Sequence, residues 1–285
     1  MKMFPDDAAC MAYLTQLRWP EGFICPACAV AAKPWVESRG RLECSVCHHQ
    51  TSVSAGTIFD KTRTPLTTWL EAAWHVSTAK NGMSAKTLER TIGTSYEVAW
   101  IMLQRFRVAM VNTERKQLSG DVEVDETYVR GKRDDGKRGR GTTKSIVVIA
   151  VEMKQPKGFG RVRMRHVPDA SGDSLLPFVS DVVAPGSVIR TDGWRGYNRL
   201  SDYGYTREMI MLSSSGDPAH VSMPGVHRIS SLLKRWLLGT HQGSVLPNHL
   251  QSYLEEFTFH RRLLEHAVIA GPITKAGIVH GYDWG

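Results

Sequence analysis

Acidic residues in a strand-like segment are the first feature of this sequence that could carry chemistry. From Val122 to Val129, apolar and β-branched residues are interleaved with acidic or polar ones, which is the pattern of a strand with two unlike faces. Glu123 and Asp125 are two positions apart, so both side chains leave one face, and Glu126 leaves the other. Like charges on one face cost stability unless a cation or a buried partner compensates them. This segment alone fits either a ligand site or an edge strand with a solvated acidic face.

A second acid lies at the end of another short apolar run. The run covers residues 187–194, and Asp192 stands where it turns. Carboxylates at strand ends, brought together by the fold, form divalent-metal sites for phosphoryl transfer. Asp125 and Asp192 are therefore candidate ligands of a catalytic metal ion.

Four of the five cysteines form two Cys-x-x-Cys pairs, with fifteen residues between the pairs. Two-residue gaps let both thiolates of a pair reach one tetrahedral ion, and two pairs complete a four-sulfur zinc site. Four sulfurs leave no open coordination position, so the pattern predicts structural rather than catalytic zinc. Residues 33–37 and 41–43 are predicted to be the hairpin strands of a zinc ribbon, and His48 and His49 to be bystanders. The predicted zinc ligands are Cys25, Cys28, Cys44 and Cys47.

The composition is that of a globular protein whose positive charge favours a polyanionic partner. The chain has 285 residues, 42% of them hydrophobic and 22% charged, which is ordinary for a chain of two or more domains. The net charge of +8 favours nucleic acid as the partner. No apolar run reaches the length of a membrane span, and the N-terminus has no signal-like region. We therefore expect a cytoplasmic protein without a membrane partner, associated with the nucleoid when it is bound to DNA.

Four helices are predicted before the acidic strand, over residues 6–19, 64–80, 84–91 and 95–111. Gly93 turns the chain between the last two, and Thr94 with Glu97 predicts a capping box. Two helices joined by a glycine-containing turn are typical of a helix-turn-helix, in which Arg105 and Arg107 would contact DNA. A plain three-helix bundle is the alternative.

The acidic strand is followed by a basic segment, residues 130–144, with seven basic and two acidic residues. Its glycines and charges exclude a packed core. Such a loop is often only solvated, but beside a metal-binding acid it favours a clamp on DNA phosphates. The candidate DNA contacts are Lys132, Arg133, Lys137, Arg138 and Arg140.

The rest of the chain predicts an α/β domain with a mixed central sheet. Further strands are expected at 145–152 and 160–166, at the run ending in Asp192, and at 207–212, with helices at 174–183 and 227–238.

The order and spacing of these motifs resemble a known family. Asp125 and Asp192 are 67 positions apart, His227 follows 35 positions later, and Lys234 seven after that. This arrangement resembles the ribonuclease H-like DDE transposases. From about residue 5 to 260 the chain is similar to the zinc-ribbon-bearing insertion-sequence transposases of the ISXO-like family. Other matching stretches are residues 56–59, 80–84, 124–128, 191–197, 232–235 and 249–257.

The resemblance implies an enzyme that cleaves DNA at the ends of its element and transfers the strands to target DNA. It implies two Mg or Mn ions held by Asp125, Asp192 and His227. Lys234, two helical turns after His227 on the same face, would hold a phosphate or position the DNA end. Arg235 is a further candidate DNA contact. The partners would be double-stranded DNA, as terminal repeats and target, and other copies of the chain on that DNA.

The sequence departs from the family pattern in two places. The family commonly has Glu where this chain has His227, and imidazole suits manganese or zinc better than magnesium. If His227 is not a ligand, Glu123, Glu255 or Glu256 would supply the missing carboxylate. After Phe259 the chain lacks the family's Asn- and Arg-rich segment, which predicts a truncated last helix and an impaired copy.

The sequence therefore predicts a multidomain chain. A zinc ribbon would cover residues 1–60, a helix-turn-helix segment 61–117, an α/β ribonuclease H-like catalytic domain 118–262, and a tail 263–285. Two alternatives remain. One is a zinc-ribbon transcription regulator that binds DNA without cutting it, and the other is a decayed transposase that retains only DNA binding.

Overall fold

The computed structural model describes residues 4–111, 115–129, 144–154, 156, 158–210, 222–243 and 245–266. The chain forms two compact units. The first comprises residues 1–111 with 263–285, and the second comprises residues 112–262. Within the described ranges, no helix has the combined length and apolarity that crossing a membrane requires.

The first unit begins with a helix and a small antiparallel sheet. Helix α1 (Asp7–Arg18) starts where the Asp6 carboxylate accepts the N–H of Ala9 at 2.8 Å. Strands β1 (Trp35–Val36), β2 (Leu42–Glu43) and β3 (Gln50–Thr51) pair in that order. The predicted hairpin is confirmed by β1 and β2, whereas β3 was not predicted.

Three helices complete the described part of the first unit, and all three were predicted. They are α2 (Leu66–Thr78), α3 (Ala85–Ile92) and α4 (Tyr96–Met110). Gly93, at φ +67°, ends α3 in the left-handed region that glycine adopts without strain. The predicted capping box at Thr94 is wrong by one residue, because Ser95 Oγ accepts the N–H of Val98 and so caps α4.

The segment that leads into α2 contributes side chains to the core of this unit. Ile58 and Phe59 are fully buried, and Phe59, Trp69 and Phe106 form a chain of edge-to-face rings with 5.5 Å between centroids. The Arg18 guanidinium donates to three carbonyl oxygens of residues 52–55. These contacts fix the chain between β3 and α2.

The second unit is built on a five-stranded mixed sheet. Its strands are β4 (Asp121–Val129), β5 (Ser145–Met153), β6 (Phe159–Val167), β7 (Val188–Thr191) and β8 (Thr206–Met209). Their order is β6-β5-β4-β7-β8. β4 and β5 pair antiparallel, as do β5 and β6, and β7 and β8 run parallel to β4. This is the ribonuclease H-like arrangement, and the predicted mixed sheet is confirmed.

Helices cover both faces of this sheet. On one face, α5 (Gly172–Val182) packs Leu175 and Phe178 against Val122 and Val124. On the other, α6 (Pro224–His241) and α7 (Pro247–His266) pack against odd-numbered residues of β4 and β5. α7 continues beyond Phe259, so the helix does not end where the sequence departs from the family pattern.

Candidate functional site

The two candidate carboxylates are placed by neighbouring parallel strands. β4 and β7 pair in a register that sets Glu123 opposite Arg190, 67 positions later in the chain. Asp125 and Asp192 have the same spacing, and Asp192 directly follows the last residue of β7. If the pairing were extended by two residues, Asp192 would lie beside Asp125. Neighbouring strands lie about 4.8 Å apart, a separation that suits two carboxylates sharing one cation.

Helix α6 begins against a buried carboxylate of β4. Glu123 is 1% exposed, and its Oε2 accepts the N–H of Val226 at 3.0 Å. The N–H of Gly225 also donates to this carboxylate. Burial raises the pKa of Glu123, although both hydrogen bonds act to lower it. A Cβ at position 225 would lie 2.8 Å from Glu123 Oε2, so a side chain there would push the carboxylate away from the helix start. Glu123 therefore anchors the start of α6.

A second hydrogen bond between β4 and α6 lies on the same face of β4. Thr127 Oγ1 and Ser230 Oγ share a hydrogen bond of 2.8 Å. Asp125 lies between Glu123 and Thr127 on this face of the strand. His227, Ser230 and Lys234 share one face of α6, because they are three and four residues apart.

The charge of Asp125 affects the pKa of Lys234. Partial burial lowers the pKa of Lys234, and the Asp125 carboxylate acts in the opposite direction. The Lys234 ammonium is therefore near enough to the Asp125 carboxylate for their charges to interact. A residue that steers an anionic ligand toward Asp125 needs this proximity.

The three candidate catalytic ligands are not gathered as tightly as a closed metal site. In the ranges that the structure describes, one group of three or more His, Cys, Asp or Glu residues has all its ligand atoms within 4.8 Å of one another, and it consists of cysteines. Asp125, Asp192 and His227 do not form such a group. Asp125 lies on β4, Asp192 follows β7, and His227 lies in the first turns of α6.

The turn that carries Asp192 is clamped by an arginine that the sequence did not single out. Arg207, on β8, donates from Nε to Thr191 Oγ1 at 3.0 Å. Its Nη2 donates to the carbonyl oxygens of Asp192 at 2.9 Å and Trp194 at 3.2 Å. The Asp192 carboxylate itself accepts the N–H of Trp194 at 2.9 Å. Backbone and side chain of Asp192 are thus both held.

Glu126 has a different role on the opposite face of β4. It is 9% exposed and accepts the hydroxyl of Tyr197 at 3.2 Å. Burial raises the pKa of Tyr197 well above its usual range, and the charge of Glu126 adds to this effect. The phenol therefore stays protonated and links the turn after Asp192 to β4.

The other proposed substitutes for a third ligand are also engaged elsewhere. Glu255 forms an ion pair with Arg115 and accepts the amide of Gln251 at 3.0 Å. Glu256 is buried with its carboxylate 3.8 Å from His260 Nε2. Neither glutamate forms a ligand group with Asp125 and Asp192.

The four cysteines form the most complete metal-binding group in the described ranges. Cys25 Sγ lies 3.6 Å from Cys47 Sγ, and Cys28 Sγ lies 3.8 Å from Cys44 Sγ. A tetrahedron with metal–sulfur bonds of about 2.3 Å has edges of about 3.8 Å, so the spacing fits zinc. All four are free thiols. The predicted zinc ribbon is confirmed, and its donor set leaves no open position.

The two knuckles are built alike. The residue after each pair, Ala29 or His48, is in the left-handed region at φ +59° or +58°. Backbone N–H groups then point at sulfur, and the N–H of Cys28 contributes most to lowering the pKa of Cys25 to about 6. His48 bonds to Glu43 at 3.0 Å, in agreement with its predicted bystander role.

Two of the predicted DNA contacts in the helical segment are corrected by the structure. Arg105 donates inward to the carbonyl oxygens of Ile58 and Asp60, at 2.9 and 2.8 Å. Arg107 is 2% exposed. Both belong to the last turns of α4, where Arg107 is buried and Arg105 is half-buried with its Nη1 bonded inside the unit. The large apolar side chains that α4 exposes are Tyr96, Trp100 and Ile101.

The remaining DNA-contact predictions divide in two. Arg235 is exposed on α6, directly after Lys234. Five residues of the basic segment lie outside the described residues, namely Lys132, Arg133, Lys137, Arg138 and Arg140.

Comparison with known proteins covers both units. Residues 117–262 match the ISXO2-like transposase domain, and residues 5–50 match the transposase zinc-ribbon domain. An uncharacterized protein in transposable element ISH50 of Halobacterium salinarum is 28% identical over 282 residues, covering 92% of this chain and 93% of that protein. Among solved structures, the catalytic core domain of BIV integrase is 15% identical, with a TM-score of 0.32 over 50% of this chain and 81% of that chain.

Proposed function

The chain belongs to the ISXO2-like transposase family and is an insertion-sequence transposase; we propose that it cuts and joins DNA strands at a divalent-metal site of Asp125, Asp192 and His227. The observation that carries this proposal is the register of β4 and β7, which would set Asp125 beside Asp192 if it continued by two residues past Glu123 and Arg190. Carboxylate oxygens are the ligands that Mg²⁺ and Mn²⁺ prefer, so the donor set fits such ions.

Two displacements at phosphorus would make up the reaction. In the first, a water oxygen attacks the scissile phosphorus, the bond to the 3′ oxygen breaks, and that oxygen leaves with a proton. In the second, the freed 3′ hydroxyl attacks a phosphodiester of the target and displaces its 3′ oxygen in the same way. Bound divalent ions would stabilise charge on the attacking and leaving oxygens in both steps.

The residues of this chain would position those reactants. Asp125 and Asp192 would hold the cations, and the Arg207 clamp keeps the Asp192 turn in place. Lys234 would hold a phosphate of the DNA end, with a charge that Asp125 favours. His227 would supply a nitrogen donor, which would shift the preference from magnesium toward manganese.

DNA binding would be shared among several segments. The zinc ribbon and the α3–α4 pair are proposed to bind the element ends. The basic segment of residues 130–144 is proposed to contact phosphates in a salt-dependent way, and self-association would bring two ends together.

Asp125→Asn and Asp192→Asn test the catalytic proposal. Each change keeps the side-chain shape and removes a negative charge, so each should abolish Mn²⁺-dependent nicking of DNA that carries the element ends. Binding of the same DNA without divalent metal should stay within about twofold of the unchanged protein, because folding does not need the two charges. Nicking is followed on end-labelled duplexes.

Asp181→Asn is the matched control, since Asp181 is an exposed carboxylate on α5 that pairs with Arg165. It should nick at the normal rate. Nicking by Asp125→Asn at the normal rate would remove the metal site from the mechanism. Binding without nicking by the unchanged protein would favour a DNA-binding protein that does not cut.

A further inference from the structure

A cavity of about 520 Å³ opens beside the turn that carries Asp192. One wall comes from the segment before α5 and its first turn, residues 169–173, and the other from the turn after Asp192, residues 194–199. The N–H of Trp194, which lines the cavity, donates to the Asp192 carboxylate. A nucleotide next to a phosphate held at Asp192 would therefore be within reach of this cavity.

The two walls are locked together. The indole N–H of Trp194 donates to the carbonyl oxygen of Ala170 at 2.7 Å. A Cβ at Gly196 would lie 2.8 Å from the Trp194 indole nitrogen and 3.0 Å from the Ala170 oxygen, and a Cβ at Gly172 would lie 3.2 Å from the Gly196 oxygen. A side chain at Gly196 would collide with the Trp194 indole, and one at Gly172 would displace its neighbours by a few tenths of an ångström. The cavity is therefore formed before any ligand arrives.

The lining combines planar groups with balanced charge. The Arg195 guanidinium lies 5.5 Å from the centroid of the Trp194 ring, and Arg195 is exposed. Arg195 and Arg199 are matched by Asp169 and Asp173, so the charged residues of the lining sum to zero. Because of this balance the cavity does not select for a phosphate. Planar faces with donors and acceptors around them suit a flat, uncharged, polar ring.

We propose that this cavity holds one unstacked nucleobase of the bound DNA, next to the phosphate that is cut. The proposal rests on the proposed function, because that function places the phosphate at Asp192. Stacking against Trp194 or Arg195 would offset the cost of removing the base from the duplex. Asp169 and Asp173 would accept hydrogen bonds from the base edge.

The test measures binding of duplex element ends in the absence of divalent metal, with one abasic nucleotide placed at each terminal position in turn. Trp194→Leu removes the aromatic ring and should weaken binding of intact DNA by roughly 5- to 150-fold, as base stacking is worth about 1–3 kcal/mol. At one abasic position, the variant and the unchanged protein should bind equally. Binding is measured by fluorescence anisotropy at two salt concentrations.

Three further variants separate stacking from other effects. Trp194→Phe keeps a ring but, like Trp194→Leu, loses the bond to Ala170, so it should bind nearly normally if stacking matters. Arg195→Ala removes an exposed lining side chain that takes no part in the hydrogen bond between the two walls, and it should weaken binding of intact DNA but not of the abasic duplex. Lys154→Ala removes an exposed cation outside the lining and should match the unchanged protein on every duplex.

Several results would overturn the proposal. Equal losses for the Phe and Leu variants would show that the bond to Ala170 matters and the ring does not. Losses that persist at every abasic position, or an Arg195→Ala effect that vanishes at the higher salt concentration, would indicate a phosphate contact. Failure of the unchanged protein to nick DNA with Mn²⁺ is a separate result. It would end the catalytic proposal while leaving the binding comparison intact.

Discussion

Three acids of one strand have three different surroundings. Glu123 is buried against the start of α6, Asp125 lies on the same face toward Lys234, and Glu126 is buried on the opposite face against Tyr197. The alternation of β4 separates the faces, and the partner on each face decides what the carboxylate does. We therefore propose that Glu123 acts on the site through α6 rather than as a metal ligand.

Glu123→Ala should move α6 and reduce nicking more than DNA binding. The change leaves the buried N–H groups of Gly225 and Val226 without their acceptor, at a cost of about 1–3 kcal/mol in unfolding free energy. His227 and Lys234 follow on the same helix, so kcat should fall at least tenfold with a smaller change in KM for DNA. Urea unfolding and single-turnover nicking measure the two effects.

Glu123→Gln is the conservative comparison, because its amide oxygen can still accept the N–H of Val226. It should recover most of the stability and of the nicking rate. If Glu123→Gln is as inactive as Asp125→Asn yet fully stable, Glu123 is a ligand and not an anchor.

The β5–β6 hairpin contains an ion pair whose effect depends on pH. Glu152 accepts Arg161 Nη2 at 2.6 Å and Nε at 3.0 Å, and also the N–H of Ser119 at 3.2 Å. Bonds from Arg161 are the largest cause that lowers the pKa of Glu152 from 4.5 to about 2. The pair joins the end of β5 to both the facing strand and the chain entering β4.

Glu152→Gln should therefore destabilise the second unit at neutral pH and have little effect in acid. The folded-state pKa is below the unfolded value, so the carboxylate stabilises the fold above pH 4.5 and loses this contribution between pH 4.5 and 2. The loss at pH 7 should be about 2 kcal/mol, allowing for solvent around the partly exposed Arg161. Urea midpoints of both proteins are compared from pH 7 to 2.

Asp181→Asn serves as the control here too, because its carboxylate is 63% exposed. Its urea midpoint should follow that of the unchanged protein at every pH. A constant gap between Glu152→Gln and the unchanged protein down to pH 2 would contradict the depressed pKa.

At the scale of the whole molecule, the two units are stabilised by different means. The first contains a ribbon with strands of two residues, too short to be stable without the cysteine cluster. The second is built on a five-stranded sheet with apolar clusters on both faces. Metal removal should therefore affect them unequally.

Cys25→Ser combined with Cys44→Ser should abolish the binding of one zinc ion per chain. Amides of residues 23–51 should lose protection from hydrogen exchange, because zinc binding and ribbon folding are coupled. Amides of β4 and β5 should keep theirs. Elemental analysis and exchange followed by mass spectrometry give both readouts, and zinc retained by the double variant would disprove the four-cysteine site.

Several features of this protein follow from local sequence alone. The spacing of the cysteine pairs determines the ribbon, because a two-residue gap sets where both sulfurs of a knuckle can reach. Helices α1 to α4 follow from apolar periodicity, from caps such as Asp6 and from the glycine at 93. The two faces of β4 follow from alternation. All these features depend on residues close together in the chain.

Other features depend on residues distant in the chain, and only the tertiary structure decided them. Arg105 bonds to the carbonyl oxygen of Ile58, 47 residues away in the chain. Arg207 likewise bonds to the distant turn that carries Asp192. The role of Glu123 required a helix start 103 residues later. The 67-residue spacing of the two acids is visible in the sequence, but only the structure shows that β7 pairs with β4 at the same offset. The partner of each of these side chains depends on which distant segments pair and become buried. The local sequence pattern does not specify this.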